Sequence, residues 1–123
     1  MIYGVGIDNV TISVVERFLD NPEYSDDIFS ERERELAAQS KDRMDFFAGR
    51  YAAKSAVWKS CSHLIKGILE KKDIEILAYE DNAPYVAVEG HLKELLEGTG
   101  ITAFQVSITT EGDLASAIAV SLG

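Results

Sequence analysis

The stretch from Asp45 to Lys59 constrains the fold more than any other part of the chain. It reads DFFAGRYAAKSAVWK, is rich in alanine, and contains one glycine and no proline. Its apolar side chains recur at spacings of three and four residues, which predicts a helix buried in the core. We expect this helix to cover residues 45–59 and to continue to about Ile65, before Gly67 ends it.

The charges of this stretch are unusual. The chain has a formal net charge of −9, yet the stretch carries three cations, Arg50, Lys54 and Lys59, and only one acid, the opening Asp45. The helical period places Arg50 and Lys54 on one face and Ser55 and Lys59 on another, about 140° around the axis. Cations concentrated within an acidic chain predict a role in binding an anion. The alternative is that they are exposed to solvent or paired with nearby acids.

Length and charge limit the class of protein. We expect a single domain over residues 1–123, with one modest core. No apolar run approaches eighteen residues and no basic segment precedes an apolar one, so we expect no membrane span, no signal peptide and a cytoplasmic protein. The negative net charge argues against a nucleic-acid partner. Cys61 lies within the helical pattern and is expected to be a buried thiol.

Residues 1–10 predict a strand with two unlike faces. Bulky side chains alternate with small ones, so that one face is bare backbone ending in the carboxylate of Asp8. Glycine at alternate positions, here Gly4 and Gly6, indicates close approach of another backbone or of a ligand. A dinucleotide-binding loop is excluded because Asn9 stands where a third glycine is needed and no βαβ pattern follows. Asp8 itself is equally well explained as part of the cap of the next helix.

The remaining pattern predicts short helices and further strands. Helices are expected over residues 11–19, 30–39 and 91–97, and Ser30 with Glu33 forms a capping box at the start of the second. Strands are expected over residues 73–80, 85–88, 101–110 and 114–122. The last strand has an alanine face suited to lie flat against a helix. The expected fold class is therefore α+β, with an antiparallel sheet wrapped on the long central helix.

Six short motifs follow one another along the chain: Gly4-Val-Gly-Ile-Asp8, Ile28-Phe-Ser-x-x-Glu33, Phe47-Ala-Gly-Arg-Tyr-Ala-Ala-Lys54, Asp73-Ile-Glu-Ile76, Ala83-Pro-Tyr-Val86 and Val106-Ser-Ile108. In this order and spacing the chain resembles, over essentially its whole length, the holo-acyl-carrier-protein synthases, which are small 4'-phosphopantetheinyl transferases. The resemblance implies the fold of that family and a homotrimer with sites between neighbouring chains. It also implies an Mg²⁺-dependent step of fatty acid biosynthesis, in which the phosphopantetheine arm moves from coenzyme A to a serine of acyl carrier protein.

The resemblance assigns site residues by position. Asp8 matches the metal-binding aspartate and Lys59 a basic residue near the reacting phosphate, so these two are the expected catalytic pair. Further positions are expected to contact coenzyme A: Arg50 near the nucleotide end, then Lys54, Pro84, Ser107 and Thr110. Phosphoryl transfer from a diphosphate requires a hard cation held by carboxylates together with fixed basic side chains, and this set supplies part of both.

Several positions depart from the family pattern. Ser55 stands where the family has a metal-binding glutamate, Thr110 where it usually has histidine, and Asn82-Ala83 where it has Gly-Lys before the turn proline. A neutral hydroxyl is a poor ligand for Mg²⁺, so the ion is expected to depend on Asp8, water and substrate phosphates. The first helix of the family often carries several arginines that hold the acidic carrier protein, whereas here Arg17 is alone and flanked by acids.

Two functional hypotheses follow. In the first, the chain is a working transferase with a rebuilt metal site, in which the missing carboxylate comes from Glu111 or Asp113. In the second, it is a catalytically inactive relative that acts as a coenzyme A-binding or structural trimer. The first is preferred because the basic and acidic positions of the family are all present, namely Asp8, Arg50, Lys54 and Lys59.

Overall fold

A helix of 19 residues, α4 (Arg43–Cys61), lies at the centre of the molecule, and the other elements pack around it. The computed structural model describes all residues from 1 to 123. Four elements precede α4 in the chain: β1 (Ile2–Thr11), α1 (Ile12–Leu19), α2 (Pro22–Ile28) and α3 (Glu31–Gln39). Five elements follow it: β2 (Glu75–Ala78), β3 (Pro84–Ala87), α5 (Gly90–Leu96), β4 (Ala103–Glu111) and β5 (Leu114–Leu122). Short 3-10 turns at Ser62–Leu64 and Lys71–Asp73 connect α4 to β2. No helix combines the length and the apolar character needed to span a bilayer.

The strands form two antiparallel sheets. β1, β5 and β4 form a three-stranded sheet in that order, and β2 pairs with β3 in a separate hairpin. β3 contacts β4 but shares no sheet hydrogen bonding with it. The α+β class and the antiparallel arrangement around a central helix are confirmed, while the expected single sheet is divided in two.

The core lies between α4 and the inner face of the three-stranded sheet. Alanine side chains on both elements allow this close packing, and the buried ones are Ala48, Ala52, Ala53 and Ala56 of α4 and Ala115, Ala117 and Ala119 of β5. The alanine face predicted for the last strand is therefore confirmed. Cys61 is fully buried, as expected, and burial raises the pKa of its thiol to about 11.

The bounds of α4 differ from the prediction, and α2 is a helix that was not predicted. The side chain of Asp42 accepts hydrogen bonds from the backbone N–H groups of Met44 and Asp45, so α4 begins at Arg43. The helix ends at Cys61, short of residue 65. The sequence predicts no helix over residues 22–28, yet α2 forms there because Pro22 occupies its first position, where a missing N–H costs no hydrogen bond.

Candidate active site

β1 packs on α4 backbone against backbone. A methyl group added to Gly6 would overlap the carbonyl oxygen of Ala56, and one added to Gly4 would overlap that of Ser60. Both glycines are therefore required by the approach of a second main chain, one of the two alternatives that the sequence offered. The contact places the first half of β1 beside the C-terminal half of α4, and Asp8 follows two residues after Gly6.

This packing brings the two predicted catalytic residues together. The ammonium of Lys59 donates to Oδ1 of Asp8 at 3.1 Å and to the carbonyl oxygen of Ile7 at 3.1 Å. The Asp8 side chain is 21% exposed and that of Lys59 is 47% exposed, so the pair borders solvent. Asp8 is not a helix cap, because the cap position of α1 is Thr11. A carboxylate and an ammonium thus reach the surface at one point.

Asp8 is the residue of this site that suits a magnesium ion. Mg²⁺ in proteins is often held by one or two carboxylates, with water and substrate phosphates completing its coordination. No group of three or more His, Cys, Asp or Glu side chains capable of holding a metal occurs in the chain. Ser55, one helical turn before Lys59, is buried and adds only a neutral oxygen. The donor set therefore fits a site with a single protein carboxylate.

The carboxylate of Asp113 is engaged elsewhere. It accepts hydrogen bonds from the backbone N–H of Ser13 at 2.9 Å and from the Ser13 hydroxyl at 2.6 Å. These bonds cap the first turn of α1, for which Thr11 provides no side-chain bond. Of the two residues considered as replacements for the missing carboxylate, Asp113 is thus used by α1, while Glu111 is exposed at the end of β4.

Lys54 lies in the core and not at the site. Its ammonium donates to Oε1 of Glu33 at 2.8 Å and to the carbonyl oxygens of Lys71 and Ile74, and its side chain is 1% exposed. An ammonium has three N–H donors, and all three are in use. The structure therefore corrects the assignment of Lys54 to coenzyme A and supports, for this residue, the alternative of pairing with an acid.

Glu33 has a role in tertiary packing that the sequence did not reveal. Besides Lys54, it accepts hydrogen bonds from the backbone N–H groups of Ser30 and Ile76, and it is fully buried. Burial lowers the pKa of Lys54, and the charge of Glu33 opposes that shift. The capping-box motif identified Glu33, and the box is present. Its second role, joining α3, α4 and β2, depends on tertiary packing.

Arg50 faces a different part of the surface. Nine residues separate Arg50 from Lys59 on α4, which corresponds to roughly 13 Å along the axis and about half a turn around it. The guanidinium lies 4.2 Å from the centre of the Phe46 ring and makes long, 3.4 Å hydrogen bonds to the carbonyl oxygens of Ile76 and Leu77. No carboxylate forms an ion pair with it, and burial lowers its pKa.

The surroundings of Arg50 suit an anion. It lines a cleft of about 430 Å³ with Lys41, Phe46 and Asn82, among others. A buried guanidinium without an acidic partner can gain strong, charge-assisted hydrogen bonds from an incoming phosphate. Lys41 adds a second cation to the same cleft.

The other predicted contacts do not meet at the Asp8–Lys59 pair within one chain. Pro84 begins β3, in the separate hairpin. Ser107 is exposed on the outer face of the three-stranded sheet, the face that also carries Ile7. Thr110 is exposed near the end of β4. A single chain therefore presents the predicted residues at separate places.

The part of the outer sheet face formed by β1 and β5 is largely apolar and uncovered, whereas β4 contributes polar side chains to that face. Its exposed residues include Val5, Ile7, Leu114 and Ile118. The strand register places Val5 beside Val120 and Ile7 beside Ile118, so these side chains form one continuous surface. Apolar surfaces of this kind commonly mark contacts with another protein.

Known proteins share this sequence pattern and this architecture. A family model described as the 4'-phosphopantetheinyl transferase superfamily matches residues 4–119. The chain belongs to this family. A holo-[acyl-carrier-protein] synthase of Myxococcus xanthus is 34% identical over 122 residues, an alignment that covers 97% of this chain and 94% of that protein.

Solved structures of this family of transferases have the same fold. The holo-[acyl-carrier-protein] synthase of Neisseria meningitidis is similar with a TM-score of 0.86 at 26% identity, and the similarity covers 100% of both chains. The synthase of Helicobacter pylori, solved in complex with coenzyme A, has a TM-score of 0.76 at 28% identity, over 96% of this chain and 99% of that one. The predicted transferase fold is therefore confirmed.

Proposed function

We propose that this chain transfers the 4'-phosphopantetheine group of coenzyme A to a serine of an acyl carrier protein. The observation that carries the proposal is the exposed ion pair of Asp8 and Lys59, with 3.1 Å between the ammonium nitrogen and the carboxylate. Membership of the transferase family and the coenzyme A bound to the Helicobacter pylori relative support the choice of substrate. Arg50 is proposed to bind the nucleotide end, with Pro84, Ser107 and Thr110 as further contacts.

The chemistry requires negative charge to be neutralised at one phosphate. The serine Oγ forms a bond to the phosphorus that carries the pantetheine arm and loses its proton to solvent. The bond from that phosphorus to the bridging oxygen breaks, and the adenosine bisphosphate leaves with the electron pair. Lys59 can donate to the phosphate oxygens on which charge develops, and Asp8 orients the ammonium of Lys59. Asp8 would also hold Mg²⁺, which supplies further neutralisation of the diphosphate.

We place the complete site between copies of the chain in a homotrimer. Three features support this arrangement: Arg50 and Lys59 project from opposite sides of α4, Ser107 lies on the outer sheet face, and the β1–β5 part of that face is largely apolar and uncovered. Burying it against a second copy removes apolar surface from water and brings residues of two chains to one seam.

A second candidate function is an inactive relative that binds coenzyme A or serves as a structural trimer. One observation favours it. Asp8 is the single carboxylate at the proposed metal position, because Ser55 stands where the family has a glutamate. A site with one carboxylate holds the ion less tightly than a site with two.

Mass spectrometry of the carrier protein tests the proposal directly. The purified chain is incubated with coenzyme A, Mg²⁺ and several apo acyl carrier proteins. We expect the carrier to gain the mass of phosphopantetheine, and we expect Asp8→Asn or Lys59→Ala to lower the rate about 100-fold or more. Lys93→Ala, which removes a cation from α5, is the matched control and should retain the rate.

Absence of any mass gain with every carrier tested, with wild type and with Ser55→Glu, would reject the transferase proposal. Calorimetry with coenzyme A alone then separates the remaining possibilities. Measurable binding that Arg50→Ala removes would support a coenzyme A-binding relative, and no binding would leave the structural trimer.

A further inference from the structure

The cavity of about 430 Å³ beside Arg50, which we call the Arg50 cleft, combines positive charge with an apolar wall. Its cations are Lys41 and Arg50, and its apolar residues are Leu36, Phe46 and Ala78. No carboxylate lines it. Its volume is within the range of small-molecule sites. Such a lining suits a ligand that has both phosphate groups and a flat heterocycle, as a nucleotide does.

Asn82 also lines the Arg50 cleft, and its backbone conformation is unusual. It lies in the turn between β2 and β3, with a φ of 68°, and no other non-glycine residue of the chain has a positive φ. Glycine adopts this conformation without strain, and asparagine is one of the few other residues that tolerate it. The conformation alone would therefore be served as well by glycine, the residue that the family has at this position.

The turn is closed without the side chain of Asn82. The backbone N–H of Asn82 donates to the carbonyl oxygen of Tyr79 at 2.9 Å, and that of Tyr79 donates to the carbonyl oxygen of Ala83 at 2.9 Å. The N–H of Ala83 donates to Oδ1 of Asp81 at 3.0 Å. The carboxamide of Asn82 forms no hydrogen bond within the chain, and the residue is exposed. A fixed backbone thus presents an unused amide beside the cleft.

The chemistry of this amide matches one kind of heterocycle. A carboxamide carries an acceptor oxygen and a donor NH₂ side by side. Adenine presents the complementary pair, an exocyclic amine next to a ring nitrogen that accepts a hydrogen bond. Gln39 is the other amide that lines the cleft, but its longer side chain loses more rotamer freedom when it is held in one position. Asn82 is therefore the better placed of the two to recognise a base.

We propose that Asn82 is a specificity-determining residue that recognises the adenine base of the coenzyme A donor. Its carboxamide oxygen accepts from the exocyclic amine and its NH₂ donates to the adjacent ring nitrogen, while Arg50 and Lys41 bind phosphate. This inference rests on the proposed function and deepens it. A base without the amine would leave the carboxamide oxygen without a partner, so the site selects against such a donor.

Two donors test this selection. One is coenzyme A, and the other is the analogue in which purine replaces adenine, so that only the exocyclic amine is missing. Calorimetry with the wild-type chain measures both dissociation constants. We expect coenzyme A to bind at least about tenfold more tightly than the analogue, because a paired amide discriminates strongly between bases. Equal dissociation constants for the two donors would overturn the proposal.

Asn82→Gly assigns the selection to one side chain. Glycine accepts the positive φ of this turn, so we expect the variant to keep its fold, which circular dichroism checks. We expect it to bind coenzyme A about as weakly as the analogue, with less than about a threefold difference between the donors. Gln39→Ala, which removes the other amide of the cleft, is the matched control and should keep the wild-type difference. Loss of the difference in Gln39→Ala but not in Asn82→Gly would contradict the assignment.

Arg50→Ala separates binding of phosphate from binding of the base. We expect it to weaken both donors by a similar factor and to leave their ratio unchanged. The mass gain of the carrier protein is read separately: mass gain with equal binding of the two donors rejects the role of Asn82 alone, whereas selective binding without mass gain rejects the transferase proposal alone. Failure of both donors to bind would overturn the role of Asn82, and the mass assay then decides on transfer.

Discussion

Among the departures from the family pattern, Ser55 is the one that lies at the proposed metal site. It lies one helical turn from Lys59 and provides no negative charge. We predict that Ser55→Glu tightens Mg²⁺ binding about tenfold and raises the transfer rate, because a second carboxylate would stand near Asp8. Metal titration of the transfer assay measures both effects. Ser55→Gln, of equal size and no charge, is the control, and an equal gain with Gln would show that charge is not the cause.

Glu75 gives the stability of the chain a dependence on pH. Burial raises the pKa of Glu75, but hydrogen bonds from Arg32 and from the Ser30 hydroxyl outweigh this effect, so that the pKa lies below its usual value. A lowered carboxyl pKa means that the unfolded chain binds the proton more readily than the folded chain. The stabilising contribution of the Glu75 carboxylate is therefore present above the ordinary pKa of glutamate. It is lost as the pH falls through the pKa that Glu75 has in the folded chain.

Comparison of wild type with Glu75→Gln measures this contribution. We expect the variant to lose about 1 kcal/mol or less of unfolding free energy at pH 7, because the partner Arg32 is half exposed. Below the folded pKa of Glu75 the difference should shrink toward zero. Urea unfolding followed by circular dichroism at several pH values gives the comparison, and a difference that does not change with pH would contradict the assignment.

At the scale of elements, the contact of β1 with α4 holds Asp8 beside Lys59, the pair proposed to be catalytic. Because the methyl group of an alanine at position 6 would overlap the carbonyl oxygen of Ala56, β1 would have to move away from α4. We predict that Gly6→Ala destabilises the fold by about 3 kcal/mol or more and lowers the transfer rate. Asn9→Ala, an exposed change on the same strand, should alter stability by less than about 0.5 kcal/mol. Urea unfolding of both variants checks the prediction.

The elements that could be predicted from sequence are those specified by local patterns. The alanine face of β5, the capping box of α3 and the helical period of α4 each depend on residues a few positions apart. α2 could not be predicted as readily, because the same proline residue ends one helix and begins another. The division of the strands into two sheets depends on which edges meet in space, and alternation along a strand does not determine that.

In the candidate site, too, contacts between side chains that are distant in the sequence could not be predicted from local patterns. Asp8 and Lys59 could be paired from the sequence because the motif resemblance placed both, and the structure brings them together. Lys54 has the same chemistry and lies on the same helix, yet its partner Glu33 lies 21 residues away in the chain. Whether a lysine faces a ligand or a buried acid is decided by packing between helices, which the helical period alone does not specify.

At the scale of the whole molecule, the apolar β1–β5 part of the outer sheet face is the surface that the proposed trimer would bury. We expect wild type to be a trimer by size-exclusion chromatography with light scattering. Ile118→Lys places a charge in that face and should yield a folded monomer with most of the transfer activity lost, because the proposed site needs a second copy. Ile68→Lys, at a residue that is 76% exposed away from the sheet, is the control. A monomer with full activity would contradict a site between chains.

The absence of side chains at Gly4 and Gly6 also affects how this molecule can change during evolution. The distance from carboxylate to ammonium depends on two main chains in direct contact, and not on the volumes of the residues that fill the interior. Core substitutions can therefore accumulate with little effect on that distance, while a single added carbon at either glycine would alter it. An identity of only 34% to the Myxococcus xanthus synthase is compatible with a conserved contact between β1 and α4 for this reason.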